Sequence, residues 1–310
     1  MTLNNKKVLV TGGAGFIGSH LVDRLLKEGC KVAVIDNLSS GKKENLAKKA
    51  RFYKLDVENP GISRVFKKEK LEIVFHLAAQ IDLRKSVNDP VSDAKTNILG
   101  SLNVLENCRK FGVKKIVFAS TGGAIYGEVK TIPTGENYPV QPLSPYGIAK
   151  LATEKYLEYY LAIFNLPFVA LRLANVYGPR QDSQGEAGVI AIFCGRMLSA
   201  KPAQISGSGF QTRDFVFVQD VVAAFIKAME TTKTGIYNIG TGQETDINSI
   251  FRKLKKLTGS KIKEKHGAQK PGEQKRSCLD WSKARKELGW RPREALDEGL
   301  KKTIKWFKDI

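Results

Sequence analysis

The sequence predicts an α/β protein: a doubly wound parallel sheet carrying a smaller lobe toward the C-terminus. Three observations point there. Short apolar runs alternate with helical patterns from residue 7 onward. A glycine-rich turn lies between the first run and the first helix, and an acid closes the second run. After about Arg172 the texture changes, because Pro179, Gly185, Gly188, Pro202, Gly207 and Gly209 break up the chain.

Residues 7–10 read as a buried strand. Residues 20–28 read as a helix with Leu21, Val22, Leu25 and Leu26 on one face. Residues 32–35 form a second strand, ended by Asp36 and the turn 37–41. Further strands are predicted at 52–55, 73–77, 116–119 and 168–171, each separated from the next by a helical or turn segment. Beyond Arg172 loops and short elements are expected to dominate. Residues 215–218, with a helix over 220–230, read as a return to the sheet layer, and helical patterns follow at 247–257, 281–288 and 296–307. The expected division is one unit from residues 1–174 plus about 212–241, and a lobe from 175–211 plus 242–310.

The chain has 310 residues, enough to bury a sizeable core, and no apolar run approaches a membrane span. Its first residues lead straight into a strand without a signal-peptide core, so a cytoplasmic location is the expectation. Cys30, Cys108, Cys194 and Cys278 lie far apart, and His20, His76 and His266 lack ligand spacing, which argues against disulfides and a bound metal. The net charge of +20 comes from lysines scattered over most of the chain, with no nucleic-acid-binding motif. Such a surface favours small anions rather than a groove of DNA or RNA.

The turn Thr11-Gly12-Gly13-Ala14-Gly15-Phe16-Ile17-Gly18 has the spacing of a dinucleotide-binding loop. Gly12 allows the tight turn, Gly15 the approach of a pyrophosphate, and Gly18 close packing of helix on strand. The helix N-terminus offers free N–H groups to the anion. Asp36, 18 residues beyond Gly18, is placed to accept hydrogen bonds from the adenosine ribose and to repel a 2′-phosphate. NAD is therefore expected rather than NADP, on a Rossmann fold.

This loop, continued by Ser19-His20 and joined by Asp36-Asn37-Leu38-Ser39, resembles the extended short-chain dehydrogenase/reductase family, and the similarity runs through nearly the whole chain. The members it looks most like are the nucleotide-sugar 4-epimerases that interconvert UDP-glucose and UDP-galactose. The resemblance implies that Asp56 and Val57 sit at the adenine, that Leu77, Ala78 and Ala79 line the cofactor channel, and that Asn97 opens the family's Asn-x-x-Gly segment. It also implies a homodimer paired through the helix bearing the catalytic tyrosine.

Tyr146 and Lys150 stand four residues apart, on one face of any helix that contains them. A cation about 4 Å away at an effective dielectric near 20 contributes roughly 4 kcal/mol, which would bring a phenol from near 10 to near pH 7. A pair of this spacing also occurs on ordinary helix surfaces, but Ser144-Pro145 marks a helix entrance and Thr121 ends a strand. In the family a Ser or Thr, a Tyr and a Lys form the catalytic triad. Thr121, Tyr146 and Lys150 match, with Ser120 an alternative hydroxyl because Gly122-Gly123 adds a residue to the usual spacing. Dehydratases of the family carry Asp-Glu after the hydroxyl residue, and the two glycines here transfer no proton. The expected chemistry is thus the minimal one: oxidation at carbon 4, turnover of the 4-keto sugar, and reduction on its other face.

By the same resemblance the substrate meets Thr121, Asn175, Gln204, Ser206, Arg213, Lys270, Glu273 and Ser277. Arg213 suits a bidentate phosphate contact, its alternative being a surface salt bridge with Asp214. Lys270 stands where the family usually has arginine, so the fork is lost, with Arg276 expected to compensate. Ser277 is small where bulk excludes an acetamido group, which predicts acceptance of N-acetylated UDP-hexosamines beside UDP-glucose and UDP-galactose. UDP-glucuronate is the nearest rival substrate, and an NAD-sensing binding protein is the non-enzymatic alternative.

Overall fold

A computed structural model describes residues 3–184, 188–268 and 274–309. In chain order the elements are β1 (Lys7–Thr11), α1 (Phe16–Lys27), β2 (Lys31–Asp36), β3 (Arg51–Lys54), α2 (Ile62–Glu69), β4 (Ile73–His76), α3 (Leu83–Asn88) and α4 (Pro90–Ala94). A π-helical turn, Lys95–Leu99, joins α4 to α5 (Gly100–Lys110). Then come β5 (Lys115–Thr121), α6 (Gly122–Ile125), α7 (Pro145–Phe164), β6 (Phe168–Leu173), β7 (Asn175–Tyr177) and α8 (Val189–Leu198). The remainder comprises β8 (Gln204–Ser206), β9 (Thr212–Arg213), β10 (Phe215–Phe217), α9 (Val218–Glu230), β11 (Gly235–Ile239), β12 (Thr245–Asp246), α10 (Ile247–Thr258), β13 (Lys265–Gly267), α11 (Ser282–Leu288) and α12 (Leu296–Lys308).

Seven parallel strands form one sheet in the order β11-β6-β5-β4-β1-β2-β3, so the chain winds outward in both directions from β1. The strand sequences explain this layering. Val8, Val10, Val32, Val34, Phe75 and Val117 bury one face in a core that also holds Leu21 of α1 and Phe225 of α9. Leu9, Ala33, Ile35, Val74, Ile116 and Phe118 bury the other against Phe66 of α2, Val104 of α5 and Leu157 of α7. Continuous apolar strands of this kind are stable only when covered on both sides.

A third core gathers Phe193 and Met197 of α8, Ile250, Phe251 and Leu254 of α10, and Leu300 and Ile304 of α12. The loops expected after Arg172 thus enclose a helix, α8, whose sequence is apolar almost throughout because it packs on both α10 and α12. Residues 215–217 do not return to the main sheet. They pair in parallel with β7, while β11 is the strand that joins beside β6.

The four cysteines are buried and free. Among the described residues no helix is long and apolar enough to cross a membrane, and no group of His, Cys, Asp or Glu is placed to hold a metal ion.

Candidate active site

The glycine turn packs as its residue types require. Gly12 has φ +71°, and a Cβ there would lie 2.7 Å from the Ala78 backbone nitrogen. A Cβ on Gly18 would lie 2.1 Å from the Gly12 carbonyl oxygen. The first turn of α1, including Phe16 and Ile17, follows directly on Gly15, which caps it without a side-chain acceptor. Its N–H groups and positive end are therefore open to an anion. Asp36 ends β2 and is buried. Its Oδ2 accepts from Ala14 N at 2.9 Å and its Oδ1 from Leu38 N at 2.8 Å, so the carboxylate also fixes the glycine turn. Carboxylate oxygens accept more than one hydrogen bond, which leaves Asp36 capacity for a ribose. Asn37 donates to Asp56 Oδ2 at 2.7 Å, and Val57 lies under Gly100 at the head of α5.

Behind this wall runs a buried polar chain that sequence reasoning missed. Thr11 Oγ1 bonds His76 Nδ1 at 2.7 Å and accepts from the Leu77 and Ala78 N–H groups at 3.2 Å. His76 Nε2 meets Ser101 Oγ at 2.9 Å, and that hydroxyl donates to the Asn97 carbonyl at 2.7 Å. The directions agree only if His76 is neutral with its proton on Nε2. Burial, helped by the Lys150 charge, pushes His76 down to about 3. The side chain of Asn97 clasps the backbone of Gln80, accepting from its N–H at 2.9 Å and donating to its carbonyl at 3.0 Å, just beyond Ala79. No periodicity signals such a chain, because its members lie on separate elements.

Tyr146 and Lys150 occupy the first two turns of α7. Pro145 starts the helix, Ser144 caps it by accepting from Gly147 N, and Tyr146 N donates to Ser86 Oγ of α3 at 2.8 Å. Lys150 is buried, its Nζ donating to the Ala119 carbonyl at 2.9 Å and standing 5.7 Å from the centre of the Tyr146 ring. Thr121 ends β5, half-buried, and immediately precedes α6. The neighbouring Ser120 hydroxyl is committed elsewhere, donating to Glu154 Oε1 at 2.6 Å beside the buried Glu154–Arg172 ion pair.

The expected acidic phenol is corrected by the geometry. Burial, followed by the Asp93 charge, pushes Tyr146 above the ordinary tyrosine range. Burial also lowers Lys150 to about 8, against the opposing effects of Asp93 and Glu154. Lys150 gives an N–H to the Ala119 carbonyl, and desolvation is the largest influence on the phenol.

On the opposite wall Asn175 starts β7, its Oδ1 buried without a hydrogen-bond partner and 4.0 Å from where a Gly123 Cβ would lie. Gly122 abuts Leu279, whose Cδ1 would lie 2.4 Å from a Cβ there. Arg213 lies on β9, its guanidinium donating to the Thr212 carbonyl at 2.8 Å. Asp214 is fully buried and accepts from Thr241, Gly242 and Leu279, which replaces the surface salt bridge considered for it. Arg276, exposed, pairs with Glu244. Ser277 is buried beside the bridge between Thr134 and Leu279. Gln204, exposed, and Ser206, half-buried, lie on β8 in the ribbon with β13. Lys270 and Glu273 fall outside the described residues.

A family model described as the NAD dependent epimerase/dehydratase family matches residues 8–240. The chain belongs to that family, and NAD is its cofactor. Among solved structures it resembles the UDP-glucose 4-epimerase of Thermotoga maritima determined with UDP-glucose, with 51% identity and a TM-score of 0.96 over 97% of this chain and 98% of that one. The Thermus thermophilus UDP-glucose 4-epimerase in complex with NAD matches at 44% identity and a TM-score of 0.94, covering 97% and 98%. A UDP-N-acetylglucosamine 4-epimerase from Methanobrevibacter ruminantium, in complex with UDP-N-acetylmuramic acid, matches at 36% identity and 0.94, covering 99% of each.

Proposed function

We propose that the chain interconverts UDP-glucose and UDP-galactose at carbon 4, with Tyr146 as the acid/base, Lys150 and Thr121 as its partners, and N-acetylated UDP-hexosamines as further substrates. The observation that carries this reading is the buried Lys150 ammonium, held by the Ala119 carbonyl beside Tyr146 on α7. Its strand, β5, ends where a parallel sheet of this topology binds ligands.

Bound NAD supplies the place where the hydrogen from carbon 4 is kept between oxidation and reduction. Tyr146, as the phenolate, takes the proton of the sugar 4-hydroxyl and, as the phenol, later returns it to the same oxygen on the other face, while Thr121 orients that oxygen. Gly122 and Gly123 offer no second acid, which favours return over elimination. Asn175 contributes an amide whose oxygen is buried and unpartnered, a cost that a hydroxyl donor from the substrate would remove. Arg213, Gln204 and Ser206, with Lys270 and Glu273, contact the nucleotide in this reading, and the smallness of the Ser277 side chain is what favours an acetamido group. The third core, which joins residues of 175–211 and 242–310 and also takes in Phe215, Phe217 and Val218, supports a substrate lobe built from those two segments.

A homodimer is supported by exposed apolar side chains, Val87, Val91, Leu99, Ile148, Tyr159 and Ile163, spread over α3, α4, the π-helical turn and α7. Four free, buried cysteines suit a reducing cytoplasm. The test is incubation with UDP-galactose and, separately, UDP-N-acetylgalactosamine without added NAD, with product analysis. Conversion of both is expected, and Tyr146→Phe should lose at least about a hundredfold in kcat. Near wild-type turnover by that variant would remove Tyr146 from its role.

A further inference from the structure

Asp93, on the short helix α4, is almost fully buried at 1% exposure. One carboxylate oxygen, Oδ1, accepts from Gln80 Nε2 at 3.1 Å and from Asn97 Nδ2 at 3.1 Å. Both donors are neutral amides. The other oxygen, Oδ2, is buried and has no hydrogen-bond partner. A desolvated carboxylate held by two amides and left half unsatisfied is expensive, so it is expected to persist only where its charge is used. Helix α4 packs directly on α7, which carries Tyr146 and Lys150.

We propose that Asp93 is a positioning residue for the reaction: its buried carboxylate, anchored on one oxygen by Gln80 and Asn97, is the counter-charge of the Lys150 ammonium. The proposal rests on the reading that Tyr146 and Lys150 carry the chemistry. Lys150 has three N–H donors, one of them taken by Ala119, and its other neighbours balance it poorly. His76 on β4 is neutral. Glu154, further along α7, is already paired in bidentate fashion with Arg172 of β6 and also accepts from Ser120. Burial, with the Asp93 charge, raises Tyr146 on α7 above the ordinary tyrosine range. Asp93 is therefore the carboxylate near Lys150 whose hydrogen bonds leave its charge unneutralised, and the same anchoring fixes Asn97 and through it the Gln80 segment.

The sign is fixed by the electrostatics. Lys150, lowered to about 8 by burial, is raised by Asp93 and Glu154. Losing the Asp93 charge must lower it further, so the ammonium is lost at a lower pH. Asp93→Asn keeps an acceptor for Gln80 and Asn97 and removes only the charge, and Asp93→Ala removes both.

Lys150 can be titrated directly through its Cε shift in [13C]lysine-labelled protein, with the resonance assigned by its loss in Lys150→Met. The midpoint near pH 8 is expected to fall by about one pH unit in both Asp93 variants. The alkaline limb of kcat/KM should move with it, costing about fivefold at pH 8 relative to the acid plateau of each variant. A uniform loss of kcat with an unmoved midpoint and an unmoved limb would mean a purely structural role and overturn the proposal. Tyr146→Phe separates the two levels. If it stays active, the catalytic reading falls and the titration alone judges Asp93. If it is inactive while the Lys150 midpoint ignores Asp93, only the counter-charge falls.

Discussion

The ion pair between Glu154 and Arg172 lies directly behind the end of β5, and its removal should be costly. Arg172 Nη2 meets Glu154 Oε2 at 2.6 Å and Nε meets Oε1 at 3.0 Å. The side chains are 5% and 0% exposed, Ser120 donates to the same carboxylate, and Arg172 also reaches the Tyr126 hydroxyl at 2.8 Å. Glu154→Leu strands a buried guanidinium with one neutral oxygen as acceptor. Breaking a buried pair in this way costs about 3–5 kcal/mol. At about 2 °C of Tm per kcal/mol for a chain of this size, the melting temperature should fall by about 6–10 °C. The double variant Glu154→Leu/Arg172→Met removes both charges and should recover most of that loss, because a well-packed apolar pair often replaces a buried ion pair without penalty. Calorimetry or urea unfolding of the wild type, both single variants and the double closes the cycle. If Glu154→Leu loses less than about 1 kcal/mol, or the double is no better than the single, the pair is not the desolvated unit described.

Three further outcomes are expected. Gly18→Ala should gain about 1 kcal/mol of helix propensity in isolation, but its Cβ 2.1 Å from the Gly12 carbonyl forces the turn open. NAD affinity measured by calorimetry should therefore drop at least about tenfold, and a higher Tm with unchanged affinity would contradict the packing. Gly122→Asp drives a side chain into Leu279, 2.4 Å away, and should cost about 1–3 kcal/mol in urea unfolding, with Leu279→Ala added in the same chain returning part of it. If the ammonium is required, activity at saturating substrate should fall as pH rises through about 8, where Lys150 loses its proton, and a flat profile to pH 10 would refute that requirement.

The first half of the fold was legible because its strands, the edge strand β3 apart, are apolar on both faces and its first turn carries glycine where no other residue fits. Helix α1 begins at Phe16, four residues before the predicted start, because the phosphate-facing turn is itself helical. Strand β11 escaped notice for a physical reason. Its Asn238 interrupts the apolar run, yet it is fully buried and bonded to Tyr126 and Thr134, partners from distant parts of the chain. Helix α8 was hidden by the opposite effect, since a helix packed on two sides shows no polar stripe and resembles a strand or a loop in local pattern. At the site, the residue types of the glycine turn and of α7 were readable. The partners that tune them, Asp93, His76, Ser86 and Glu154, were not, because burial and direction arise only when separate elements pack.

The correction at Tyr146 bears on how an epimerase of this kind works. An attraction of roughly 4 kcal/mol was expected from a cation at about 4 Å. The ammonium gives one N–H to the Ala119 carbonyl, and burial is the largest influence on the phenol, raising it. A residue that must exchange protons with water during turnover would suffer from this. Epimerisation has no such demand, because the proton removed from the 4-hydroxyl goes back to the same oxygen and the reaction is proton-neutral. In the proposed mechanism Tyr146, half-buried beside Lys150, would hold that proton while the sugar turns. Burial therefore raises the tyrosine and lowers the lysine by one cause, and it leaves the charge of Lys150 as the quantity the surrounding carboxylates must protect.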